Sequence, residues 1–310
     1  MKIVFFGTPE FAVASLRAII GAGHQVAAVV TAPDRTGGRG NKLIESDVKK
    51  FAMERQLPVL QPEKLKDPLF LDKLRALEAD LFVVIAFRML PEVVWSMPRL
   101  GTFNLHASLL PQLRGAAPIN HAIISGFKTT GVTTFFINSE IDKGEVLLSA
   151  TTSISDDDDA GTLHDRLMEM GADLVLKTID GIERGTLTPS PQPQADCFTP
   201  APKIFKQNCK VEFDQPAKNI SRLIRGLSPY PGAWCNLILS DGKEIEVKLL
   251  KAKPYYYSLN LEPGMCVVKN KAFMVATADG AIEILQLQPA GKKPMDAKAF
   301  MAGYSPIRLI

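Results

Sequence analysis

The sequence predicts an α/β protein in two parts: a doubly wound, mostly parallel sheet, followed by a small β-barrel. Three observations predict it. From Lys2 to Glu183, apolar runs alternate with segments of helical period. From Gly185 to Pro202, Thr, Pro, Ser and Gln take over, which is the composition of a semi-extended linker. Beyond that stretch, short runs are separated by Asp-Gly and Pro-Gly turns, the rhythm of a barrel. A chain of 310 residues suits two domains, at about 100–200 residues each. The expected boundaries are 1–188 for the first domain, 189–206 for the linker and 207–310 for the second.

The elements follow in order. Residues 2–6 and 25–31 are runs rich in Val, Ile and Phe. Between them, Phe11, Val13, Leu16, Ile19 and Ile20 share one face of a helix from Glu10 to Ile20, with Pro9 near its start. This β-α-β unit implies parallel strands. Ser46 to Arg55 and Asp67 to Leu77 read as helices. Asp80 to Phe87 reads as a strand buried on both faces. Thr102 to Leu105, Gly131 to Asn138 and Glu145 to Ser153 are further strands. Thr162 to Glu183 is a long helix with Leu163, Leu167, Met170, Leu174, Val175 and Ile179 as its apolar stripe. The alternation makes the first domain Rossmann-like. After the linker, Pro216 to Arg225 is a short helix. Turns at Ser240-Asp241-Gly242, Glu262-Pro263-Gly264 and Ala278-Asp279-Gly280 then punctuate an OB-like barrel.

Composition excludes several classes. Hydrophobic content of 46% and charged content of 22% describe an ordinary globular protein. The opening run reaches Gly7-Thr8-Pro9 too soon for a signal peptide, and no apolar run approaches the ~20 residues of a membrane helix. Cys197, Cys209, Cys235 and Cys266 lack metal-ligand spacing, and the four histidines are scattered. Reduced thiols, a cytoplasmic location and no metal are therefore expected. Charge is uneven: residues 203–310 carry +7, whereas residues 1–202 carry −4. A basic second half suggests a polyanionic partner, against the alternative of solubility alone.

The stretch Phe103-Asn104-Leu105-His106-Ala107-Ser108-Leu109-Leu110-Pro111 carries the chemistry. A spacing of two puts Asn104 and His106 on one face of a strand. A carboxamide beside an imidazole can stabilise an oxyanion and move a proton. Glu140-Ile141-Asp142-Lys143-Gly144 adds a carboxylate in a Gly turn after the next strand. Sites in open α/β sheets gather at carboxyl ends of strands, where both segments are expected to deliver. The run Asp156 to Asp159 reads as a solvated turn. Gly7 to Phe11 lacks the full dinucleotide fingerprint, so a nicotinamide enzyme is disfavoured.

The string Asn-x-His-x-Ser-Leu-Leu-Pro-x-x-Arg-Gly, Asn104 to Gly115, closely resembles the signature of the folate-dependent formyltransferases. The resemblance extends over nearly the full length and is greatest to members that act on an aminoacyl-tRNA. It implies 10-formyltetrahydrofolate as the formyl donor. It implies the α-amine of methionine on initiator methionyl-tRNA as the acceptor. Asn104, His106 and Asp142 are carried over as the catalytic trio. Ser108, Leu109, Leu110 and Pro111 match the folate-binding segment, and Phe87 belongs to a second wall, Val84 to Pro91. Arg88 stands where Gly is expected.

The Gly-rich basic loop Pro33 to Leu43 resembles a tRNA-contacting insertion. It has no Walker ending. Arg35, Arg39 and Lys42 are its candidate contacts, with Arg39 foremost; Asn41 departs from an expected Lys. Arg222 to Trp234 and Leu287 to Met295 resemble the family's second-domain segments, with Tyr230 and Trp234 assigned to the core. Lys203, Lys206, Lys292 and Lys293 are candidate phosphate contacts. A monomer is expected. The competing readings are a UDP-amino-sugar formyltransferase, a formyltetrahydrofolate hydrolase and a non-catalytic RNA-binding protein.

Overall fold

In the computed structural model, residues 1–37, 42–193, 198–269 and 271–310 are described. The elements in chain order are β1 (Lys2–Gly7), α1 (Glu10–Gly21), β2 (Gln25–Val30), β3 (Arg35–Gly37), β4 (Lys42–Ile44), α2 (Asp47–Glu54), β5 (Val59–Leu60) and α3 (Pro68–Ala76). Then come β6 (Leu81–Ile85), α4 (Glu92–Trp95), β7 (Thr102–His106), α5 (Pro118–Ile124), β8 (Thr129–Phe136), β9 (Val146–Ser153) and α6 (Ala160–Arg184). The chain divides into two compact units. One comprises 1–115, 129–153 and 164–200; the other comprises 116–128, 154–163 and 201–310.

The first unit is built on a seven-stranded sheet in the order β5-β2-β1-β6-β7-β8-β9. β5 to β7 are parallel in that order. β6 is buried at all five positions, as its uninterrupted Leu-Phe-Val-Val-Ile run requires. α1 turns Phe11, Leu16 and Ile19 inward and follows Pro9, whose missing N–H costs a helix start nothing. α3 opens on Asp67, which accepts from the N–H groups of Leu69 and Phe70.

β8 and β9 break the parallel pattern. β7 and β8 pair antiparallel, with Phe103 opposite Phe136 and His106 opposite Thr133. The carboxyl end of β8 therefore lies beside the start of β7, not beside its end. This corrects the expectation that both segments deliver to one sheet edge. The loop 137–145 instead brings Asp142 back to the face that bears His106.

The second unit holds α7 (Ala217–Leu227), β10 (Ala233–Leu239), β11 (Glu244–Tyr255), β12 (Cys266–Lys269), β13 (Ala272–Ala276), β14 (Ala281–Pro289), β15 (Met295–Asp296), α8 (Ala297–Met301) and β16 (Pro306–Leu309). Its antiparallel sheet runs β12-β13-β14-β11-β10-β16, with β15 on β14. α7 covers it through Ala217, Ile220, Ile224 and Leu227, spaced as one helix face. Phe273 and Phe300 stack in its core at 6.3 Å. Among the described residues, the expected barrel is not closed by a ladder. Its two end strands have four residues each, and one bridge, Met265 to Arg308, joins the ends.

Residues 116–128 and 154–163 belong with this unit for a local reason. Asn120 Nδ2 donates to the Gly226 carbonyl at 2.7 Å, which ties α5 to α7. The acidic run is not simply solvated either. Asp158 is 5% exposed and accepts from the Ser155 N–H at 2.7 Å, while Asp159 and Thr162 cap the start of α6 reciprocally. Tyr230, expected in the core, is 80% exposed. Trp234 is half-buried, with Nε1 donating to the Lys206 carbonyl.

Candidate active site

β7 supplies the first two groups. Its burial alternates weakly, but its chemistry alternates cleanly: Phe103 and Leu105 point one way, Asn104 and His106 the other. Leu105 packs on α6 so closely that a Cβ on Gly171 would meet it at 2.7 Å. That contact sets the strand's height and leaves the opposite face to the polar pair.

His106 is 6% exposed and is held through one ring nitrogen. Nε2 lies 2.9 Å from the Leu113 carbonyl oxygen. A carbonyl only accepts, so Nε2 carries the hydrogen and Nδ1 is the nitrogen left to gain or lose a proton. Nδ1 faces Asp142 Oδ2 at 3.8 Å. Leu113 can aim its carbonyl this way because its φ is +61°, and its N–H is secured on the Thr199 carbonyl. A buried Leu in that region is strained backbone, of a kind that clusters at functional sites.

Asp142 has φ +54° and a side chain only 12% exposed. Its Oδ2 accepts from the Gly115 N–H at 3.0 Å. Gly144, two residues on, is required by close approach: a Cβ there would overlap the Phe136 carbonyl oxygen. The Asp-x-Gly spacing thus places the strained φ on the Asp and the steric demand on the Gly.

Asn104 Oδ1 is buried and, among the described residues, has no hydrogen-bond partner. A buried polar atom left so costs about 1–3 kcal/mol. Such exceptions call for an explanation, and a ligand N–H or O–H is one. The carboxamide therefore fits a polar ligand seated over the β7 face.

The segment after β7 forms one wall. Ser108 is fully buried; its hydroxyl donates to the Gln112 carbonyl at 2.6 Å, and its carbonyl accepts from Thr133 Oγ1 at 2.7 Å. Its side chain thus shapes the turn instead of facing outward. Leu109, Leu110 and Pro111 are half-buried. Phe87 follows the neighbouring strand β6 and sits edge-on to Phe6 at 5.7 Å. Arg88 donates to the Pro62 and Glu63 carbonyls, so its guanidinium braces a loop. Ala86, not residue 88, takes the positive φ there, at +48°.

Gln192 joins the site with no signal in the sequence. Its Nε2 donates to the carbonyls of Asp142 and Gly144, each at 2.9 Å. Ser190 also bridges to Val146. Within the stretch read as a linker, Ser190, Gln192 and Thr199 are bound to the first unit. A Gln among Pro and Thr carries no local signal of this role.

The basic candidates fall in both units. Arg35 lies on β3, which pairs with β4 as a hairpin (Arg35 opposite Ile44). At the hairpin's base, Lys49 bridges Asp34 and Glu45. Arg39 lies outside the described residues, as does the side chain of Lys42. Lys203 is exposed over the Phe205 ring, at 5.5 Å. Lys206 pairs with Glu246 at 2.9 Å and stands over Trp234. Lys292 and Lys293 are exposed on the turn between β14 and β15. Among the described residues, no group of three or more His, Cys, Asp or Glu could hold a metal, and no helix is long and apolar enough to cross a membrane.

Comparison with known proteins adds the family. Residues 1–179 match the model of the formyl transferases, and residues 203–305 match that of the formyl transferase C-terminal domain. The chain belongs to the formyl transferase family. It is a one-carbon transferase by that membership. A curated relative from Parabacteroides distasonis, a methionyl-tRNA formyltransferase, is 51% identical over 313 residues, covering 99% of this chain and 97% of its own. One of the same name from Bacteroides fragilis is 48% identical over 308 residues, covering 98% and 95%. Among solved structures, the Helicobacter canadensis N-formyltransferase bound to folinic acid and dTDP-3-aminofucose has a TM-score of 0.67 at 21% identity, covering 93% of this chain and 99% of its own. HypX from Aquifex aeolicus, in complex with tetrahydrofolic acid, has a TM-score of 0.65 at 21% identity, covering 98% of this chain. This chain spans 47% of HypX. At that identity, the two structures support the fold alone.

Proposed function

We propose that this formyl transferase moves the formyl group of 10-formyltetrahydrofolate to the α-amino group of methionine on initiator methionyl-tRNA. The observation that carries the reading is the likeness of both units, end to end, to relatives named methionyl-tRNA formyltransferase. The formyl donor, when bound, supplies an activated carbonyl carbon. An α-amine has a pKa of about 7.7–8.0 in model compounds, and esterification lowers it, so a useful fraction is neutral near pH 7. The protein therefore need not form a covalent intermediate.

Its own residues divide the remaining work. Asn104 donates through its NH₂ group to the formyl oxygen as negative charge collects there. Its unpaired Oδ1 accepts an N–H of the incoming ligand and so orients it. His106 handles a proton at Nδ1, because Nε2 is committed to Leu113. Asp142 fixes the imidazole from the Nδ1 side. Leu109, Leu110, Pro111 and Phe87 wall the folate, and the turn closed by Ser108 shapes that wall. Arg35, Arg39, Lys42, Lys203, Lys206, Lys292 and Lys293 contact tRNA phosphates, which position the RNA without reading its sequence. The enzyme works as a cytoplasmic monomer without a metal.

The test is formyl transfer from 10-formyltetrahydrofolate to initiator methionyl-tRNA, with a UDP-amino-sugar acceptor and water alone run in parallel. Rapid formylation of the tRNA only is expected. Transfer to the sugar, or hydrolysis alone, would overturn the acceptor and leave the site chemistry in place.

A further inference from the structure

We infer that Gln192 is a positioning residue for Asp142, although it lies in the stretch that leads out of the first unit. The inference rests on the catalytic role proposed for Asp142. The Gln192 carboxamide uses both of its ends. Nε2 donates to the Asp142 and Gly144 carbonyls, each at 2.9 Å. Oε1 accepts from Arg114 Nε at 3.1 Å and Nη2 at 2.6 Å. The orientation of the amide is forced, because two carbonyls require donors and a guanidinium requires an acceptor.

Arg114 is itself anchored, with its guanidinium stacked 5.0 Å over the Phe198 ring. The next residue, Gly115, donates its N–H to Asp142 Oδ2 at 3.0 Å. Arg114 and Gly115 thus reach the Asp142 loop by two routes: one to the carboxylate directly, one to the backbone through Gln192. Asp142 holds φ +54°, which a non-glycine residue keeps only where its surroundings impose it. The two N–H bonds from Gln192 impose it from the carbonyl side.

The work needs two donor hydrogens and an acceptor on one side chain, which a carboxamide supplies. A carboxylate has no donor for the two carbonyls, and a Lys has no acceptor for Arg114. Gln192→Glu therefore separates the two halves: it keeps the Arg114 pair and sets negative charge against two carbonyl oxygens.

The experiment measures kcat and KM for Gln192→Ala, Gln192→Glu and Asp142→Asn, with 10-formyltetrahydrofolate and initiator methionyl-tRNA. Thermal midpoints check that each variant is folded. For Gln192→Ala, kcat is expected to fall on the order of 10- to 100-fold, the scale of a catalytic group displaced by an ångström. KM for both substrates is expected to stay within about twofold, the pattern of an interaction lost in the transition state alone. Gln192→Glu is expected to be no faster than Gln192→Ala. Wild-type kcat in either Gln192 variant, beside a crippled Asp142→Asn, would overturn the positioning role and leave Asp142 standing. Wild-type kcat in Asp142→Asn would overturn the proposed role of Asp142 and the inference with it.

Discussion

His106 presents Nδ1 to Asp142 Oδ2 across 3.8 Å, while its Nε2 is held by the Leu113 carbonyl at 2.9 Å. The two contacts divide the ring into a structural nitrogen and a chemical one. A gap of 3.8 Å exceeds a hydrogen bond, so the pair couples as charges when Nδ1 is protonated. Both side chains are nearly buried, at 7% and 12% exposure, so water screens them little.

The assignment of the ring nitrogens is testable by ¹⁵N NMR of the labelled histidines. Neutral His106 should carry its proton on Nε2. The opposite tautomer would remove Leu113 as the anchor. His106→Gln should lose on the order of 10²–10⁴ in kcat, the usual worth of a positioned proton-transfer group.

Asn104→Ala should lower kcat on the order of 10²–10³, the cost of deleting one oxyanion donor. Single-turnover formylation measures it apart from product release. A loss below tenfold would take Asn104 out of the oxyanion role.

Gly144→Ala should destabilise the protein by about 1–3 kcal/mol, the usual cost of overpacking. The new methyl would collide with the Phe136 carbonyl oxygen, so the Asp142 loop must shift. Urea unfolding reads the stability, and kcat should fall in the same variant. Wild-type stability would mean that the loop relaxes freely.

The base of the β3–β4 hairpin should loosen in acid. The hydrogen bonds from Lys49 and Gln61 hold the Asp34 carboxyl below the usual carboxylate range. A carboxylate whose folded pKa is depressed stabilises above its unfolded value, about 3.9, and loses that contribution as pH falls through the folded value. Proteolysis of the hairpin by an acid protease should therefore rise below about pH 4. Asp34→Asn should be nicked readily at pH 6 by a protease active at neutral pH, and show a flatter response to the acid protease. A wild-type pattern in that variant would remove the Asp34 brace.

Sequence by itself determined what lies close along the chain. The apolar periods placed β1, α1, β2, β6 and α6 to within a few residues, because each buries a face whose spacing is written locally. A spacing of two put Asn104 and His106 on one side of β7 for the same reason. The family was legible in the string from Asn104 to Gly115 because a motif of neighbouring residues can be matched to a signature without knowing the fold.

Tertiary structure decided what depends on distant partners. Antiparallel pairing of β7 with β8 moved the Asp142 loop away from the strand end where alternation alone would put it. Burial of Asp158 and exposure of Tyr230 follow from packing that composition does not encode. Gln192 meets Asp142 across 50 positions and Arg114 across 78. No period or propensity reports such a contact. It exists because a folded surface offered two carbonyls and a guanidinium that one carboxamide could satisfy together.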